Sequence, residues 1–142
     1  MKPLHFIALV LLAVVARGAG FDVEAHLRAT VVVEGWRGVD GAAGEKGPLQ
    51  FTPATWRQHM GAEPFAHADR LDRALVCGRR HVAWLHGEFA LRGVDPSHYN
   101  TALAWNAGLT AVVRGRAPLR AYDYANRLAN VINGFSTTDR HR

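Results

Sequence analysis

Glu34 closes an apolar stretch, TVVVEGW, and Gln50 follows sixteen positions later in a glycine-punctuated run, GEKGPLQFTPATW. A carboxyl set against Thr30 to Val33 is desolvated, and the C-terminal end of a helix disfavours its negative form, so both effects raise its pKa. Such a carboxyl holds its proton near neutral pH and can pass it to a leaving oxygen. Further along, ALAWNAG (Ala102 to Gly108) supplies Trp105 and Asn106, and YANRL supplies Tyr124. Aromatic faces beside amide side chains suit a sugar, whose apolar ring face stacks while its hydroxyl and acetamido groups hydrogen-bond. Taken alone, Glu34 reads more readily as a surface residue ending a helix, because perturbed carboxylates are a minority. Its company changes that reading.

The blocks come in a telling order. A helix-closing Glu, a turn formed by Gly47, Pro48, Leu49, Gln50 and Pro53, the block Ala104, Trp105, Asn106, Ala107 and Gly108, and a late tyrosine helix at Tyr124 together resemble the lytic transglycosylase domain (SLT-type, lysozyme-like). The resemblance spans nearly all of the chain after its first twenty residues. It implies a mainly α, compact lysozyme-like helical domain with a glycine-rich active-site loop. It also implies cleavage of the MurNAc to GlcNAc β-1,4 bond of peptidoglycan glycan strands, with Glu34 as general acid and then base while the sugar's 6-hydroxyl closes a 1,6-anhydro end. Gln50, Trp105, Asn106 and Tyr124 would hold the glycan, with Trp36 and Glu45 as further contacts, and neither metal nor cofactor takes part. The chain departs from the family pattern at the serine after the Glu, here Gly35, at Pro48 and Leu49, and in a shorter Glu-to-Gln interval, which marks a divergent member with a remodelled loop. Two alternatives share the cleft: a hydrolytic lysozyme, and a catalytically inactive peptidoglycan-binding module.

Hydrolytic glycosidases usually pair two carboxylates. Asp40 and Glu45 lie in the loop after Glu34, and Glu45 is the better placed for a polar contact in the cleft, although exposure or an ion pair near Lys46 accounts for it equally well, and neither is expected to be catalytic. His81 and His86, five positions apart, fall about 140° apart around a helix and share no face. No H-E-x-x-H or Cys/His cluster accompanies them, so no metal is expected. There is likewise no G-x-S-x-G and no phosphate-binding glycine loop.

The chain has 142 residues, 49% of them hydrophobic and 20% charged, which bounds it to one globular domain. Residues 1–20 read as an export signal: Lys2, the apolar run Phe6 to Ala16, then Gly18, Ala19 and Gly20. That run is too short for a permanent membrane anchor, which needs about 20 apolar residues. The expected location is therefore secreted or periplasmic, for a protein that acts as a monomer. The single cysteine, Cys77, allows no internal disulfide and reads as a small buried residue. A net charge of +5 favours polyanions such as the cell wall. No nucleic acid is expected, because the arginines are scattered through helical segments with no recognition motif.

The elements that must position these residues follow from capping and periodicity. Asp22 caps a helix ending at Glu34, where Gly35 stops it. Its β-branched run, Thr30 to Val33, favours strand locally but has no partner strand. Gly35 to Gly47, with five glycines, is a loop able to fold closely around the carboxylate. Thr52 and Pro53 start a helix that runs to about Met60 and stops at Gly61. A long helix is expected over Ala66 to Arg92, with room for a kink at Gly78, and another opens at Asp95-Pro96-Ser97 to carry Tyr99 to Asn106. After a turn at Arg114 to Pro118, a final helix runs from Leu119 to about Asn133. The domain is expected to span residues 21–135, with 136–142 a disordered tail. Trp56 and Trp84, on helical stripes, are expected in the core.

Overall fold

A computed structural model describes residues 20–138. The expected export signal lies outside the described residues but for Gly20, and so do residues 139–142. The protein is mainly helical: α1 (Val23–Glu34), α2 (Pro53–Met60), α3 (Leu71–Arg92), α4 (His98–Ala107), α5 (Leu109–Val113) and α6 (Leu119–Thr138), with a 3-10 segment at Phe65–Asp69. Among the described residues there is no strand, only one antiparallel bridge between Lys46 and Phe51.

Local chemistry sets the helix ends. The Asp22 carboxylate accepts the Ala25 amide at 3.0 Å, and Gly35, in the left-handed conformation at φ 58°, returns its N–H to the Val31 carbonyl. Thr52 and Ser97 cap α2 and α4 in the same way, accepting from Thr55 and Asn100. The β-branched end of α1 stays helical because packing overrides propensity. Ala25, Leu27, Ala29 and Thr30 are buried against the rest of the domain, and the Thr30 hydroxyl is satisfied by the His26 carbonyl at 2.9 Å.

Three packed clusters form the interior. Leu27, Leu49, Phe51, Trp56, Met60, Cys77 and Val82 fill the first; Ala29, Leu103, Tyr124 and Leu128 the second; Leu85, Phe89 and Ala104 the third. Trp105 packs against both of the first two, so the residue next to the candidate site also joins the halves of the core. Trp56 is fully buried, while Trp84 is half-buried and stacks on His81. Burying each large apolar side chain contributes about 1.5–3 kcal/mol. Cys77 is fully buried, and desolvation pushes its thiol up to about 12.

Three elements differ from the sequence expectation. The long helix does not begin at Ala66: a 3-10 segment occupies Phe65–Asp69, and Arg70 is extended at φ −89°, ψ 122° before α3 starts. α3 then runs unbroken through Gly78, whose missing side chain is used for close packing: a Cβ there would sit 2.7 Å from Leu27 and 3.0 Å from Leu49. The short helix α5 fills the stretch before the Arg114 to Pro118 turn, and α6 continues past Asn133 to Thr138, into the expected tail. No described helix is long and apolar enough to cross a membrane.

Candidate active site

Glu34 is the last residue of α1, and its carboxyl faces the loop that follows. Tyr124, on α6 and 3% exposed, donates its hydroxyl to Glu34 Oε1 at 2.7 Å. Burial is the largest influence on the carboxyl and pushes its pKa up; the Tyr124 hydrogen bond and the Arg127 charge pull it down, and the Glu45 charge pushes it up. The net direction is upward, the direction an acid catalyst needs. Tyr124 itself is held neutral, its pKa raised first by burial and then by the neighbouring carboxylate. Arg127 lies over the Tyr124 ring, 5.9 Å from its centre, which fixes the ring from the outer side.

The loop after Gly35 folds back as a small hairpin. Lys46 and Phe51 exchange two backbone hydrogen bonds, at 2.9 and 3.0 Å, around a turn in which the Gln50 amide reaches the Gly47 carbonyl. Gly47 has φ 75°, and a Cβ there would lie 1.8 Å from the Ala68 carbonyl oxygen. Gln50 takes a left-handed conformation at φ 50° that few side chains adopt, and its own amide nitrogen donates to the Gly47 carbonyl at 2.8 Å. Asp40 and Lys46 tie the loop across its base through two hydrogen bonds of 2.9 and 2.7 Å. Within it, Glu45 accepts the Ala43 amide at 2.9 Å, and its carbonyl accepts the Gly41 amide at 2.7 Å.

Between this loop and α4 lies a cleft of about 310 Å³. Glu34, Glu45, Gln50, Trp105 and Asn106 line it. Thr52 and the Gly41–Ala42 stretch line it too. Thr52 had a complete explanation as a helix cap, and nothing in Gly41 or Ala42 signals chemistry. Two expected contacts are placed elsewhere. Tyr124 does not line the cleft but reaches the Glu34 carboxyl with its hydroxyl from α6. Trp36 is not among the lining residues either; its indole nitrogen is buried and finds no hydrogen-bond partner among the described residues.

Trp105 forms a wall of the cleft rather than a free stacking platform. Its indole donates to the Leu49 carbonyl at 3.3 Å, and its rings pack on Phe51 and His81 with centroids 5.2 and 4.9 Å away. His81 faces His59, with 2.9 Å between ring nitrogens, while His86 faces Thr101 at 3.0 Å. Among the described residues no group of three or more His, Cys, Asp or Glu side chains is arranged to hold a metal ion. Compared with known proteins, the chain matches no family model, no curated protein and no solved structure.

Proposed function

We propose that this protein is a peptidoglycan lytic transglycosylase that cleaves the MurNAc to GlcNAc β-1,4 bond, with Glu34 as its general acid and base. The observation that carries the reading is one carboxyl at a helix end, its pKa raised by burial and its orientation fixed by Tyr124, opening onto a polar cleft. The blocks of the family resemblance, GPLQ and AWNAG, meet in that cleft at Gln50, Trp105 and Asn106.

In this reading Glu34 protonates the bridging oxygen, the bond from C1 breaks, and the MurNAc 6-hydroxyl attacks C1 while returning its proton to Glu34. Gln50 and Asn106 bond to hydroxyl and acetamido groups, and Trp105 shapes the sugar's apolar side. The chain's positive charge favours approach to the anionic wall. The substrate lies outside the cytoplasm, in keeping with the export signal expected in residues 1–20. A second reading, hydrolysis by water as in lysozymes, is favoured by one observation: Glu45 enters the same cleft.

The test is mass spectrometry of soluble products after incubation of purified protein with isolated peptidoglycan. Anhydro-muropeptides from the parent, reduced about a hundredfold or more in Glu34→Gln, are expected for a lost acid-base group. Equal rates from parent and variant would end the proposal. A folded parent that binds the wall but releases nothing would make the domain a binding module.

A further inference from the structure

Glu45 is the feature of the cleft that a single-carboxylate mechanism leaves unused. A Cβ on Gly41 would stand 2.3 Å from Glu45 Oε2 and 2.9 Å from Gln50 Oε1, so these two side chains occupy the space that glycine leaves open. The Ala43 amide holds Glu45 Oε2 at 2.9 Å. Its sequence neighbour Lys46 is committed to Asp40, and among the described residues no cation pairs with Glu45. Asp40, by contrast, has both carboxylate oxygens on Lys46. The loop thus presents one unpaired carboxylate, Glu45, to the cleft that Glu34 enters from α1. A carboxylate in a cleft open to solvent, with no cation holding it, is suited to taking a proton from water.

Resting on the glycan-cleaving reading above, we propose that Glu45 is a further catalytic residue, the base for a water that competes with the sugar's 6-hydroxyl, so that the protein releases reducing ends beside anhydro ends. The steps balance. Glu34 gives its proton to the bridging oxygen and the bond from that oxygen to C1 breaks. The water oxygen bonds to C1, and the proton it sheds goes to Glu45. When the 6-hydroxyl attacks instead, its proton returns to Glu34 and Glu45 is idle. The partition between the two outcomes is therefore set by Glu45, while both outcomes need the Glu34 proton.

Glu45→Gln separates catalysis from scaffolding, because a carboxamide oxygen still accepts the Ala43 N–H but no longer takes a proton. Parent, Glu45→Gln, Glu45→Asp and Glu34→Gln are incubated with isolated peptidoglycan in isotopically labelled water, and new ends are counted by mass spectrometry. Label at C1 marks ends made by water. The parent is expected to make both kinds of end. In Glu45→Gln the ratio of labelled reducing ends to anhydro ends should fall at least about tenfold. Glu45→Asp should restore part of the labelled fraction, and Glu34→Gln should lose both products. The inference is overturned, and the Glu34 reading kept, if the parent makes only anhydro ends or if Glu45→Gln lowers both products together. Undiminished cleavage by Glu34→Gln would instead overturn the reading on which the inference rests.

Discussion

In the proposed reaction Glu34 has to keep its proton until the substrate arrives and then give it up, and the Glu34–Tyr124 pair would adjust that balance. Burial favours the neutral carboxyl, and the Tyr124 hydroxyl at 2.7 Å favours the charged one. Because burial wins, the folded protein binds this proton more tightly than the unfolded chain does. The contribution to stability is therefore present at low pH and is lost as pH rises through the folded-state value. Removing the hydroxyl strips the carboxylate of its donor, so Tyr124→Phe should raise the Glu34 pKa further. The alkaline limb of the kcat/KM profile should move to higher pH, and the fold should lose about 1–2 kcal/mol, with the larger loss on the alkaline side where the carboxylate is charged. Melts at two pH values and a pH–rate profile check both halves. An unshifted alkaline limb would mean that Tyr124 packs but does not tune.

Among the elements, the loop from Gly35 to Thr52 carries the most specific backbone demands. Gly47 combines φ 75° with the Ala68 carbonyl at 1.8 Å from any Cβ, whereas Gly44, at φ 79°, has open space. Gly47→Ala must therefore displace backbone as well as strain it, at about 2–4 kcal/mol, while Gly44→Ala meets only the conformational cost, about 1–2 kcal/mol. Urea unfolding of the two variants measures the difference; equal losses would show that the 3-10 segment yields freely. The same contrast explains what could be read from sequence. Asp22, Thr52, Ser97 and Gly35 announce helix ends because a cap is a contact between near neighbours. The break at Arg70 has no such signal: Ala66 and Ala68 continue the apolar spacing of α3, and what distinguishes them is the burial of Ala68 beneath Gly47, which lies twenty-one positions away. At the site, Glu34, Gln50 and Asn106 were legible from residue type and order. The retreat of Tyr124 behind Glu34 was not, because spacing along α6 does not reveal which neighbour its hydroxyl reaches.

At the scale of the whole molecule, histidines from distant parts of the chain meet in the interior, a feature sequence spacing hid. His26 on α1 and His98 on α4 approach to 3.2 Å between ring nitrogens, and His59 on α2 meets His81 on α3 at 2.9 Å. Phe21 stacks on His98, and Trp84 stacks on His81. Desolvation, with added repulsion from neighbouring imidazoles, lowers both His26 and His81 to about 3. Each is held neutral, so the unfolded chain binds its proton first as the pH falls below the ordinary value of 6.5. Their contribution to stability is thus complete above about pH 6.5 and drains away between there and about pH 3. Each such group steepens the acid side of the stability curve by up to about 1.4 kcal/mol per pH unit. His81→Phe should remove one share. At pH 7 it costs about 1 kcal/mol, the loss of the His59 hydrogen bond. On acidification its stability should fall less steeply than the parent's, and the two curves should converge. Denaturant melts at intervals across this range check the slopes. Parallel curves would show that His81 is already charged in the fold and that the packing of Trp84 and Trp105 around it, next to the wall of the cleft, tolerates an imidazolium.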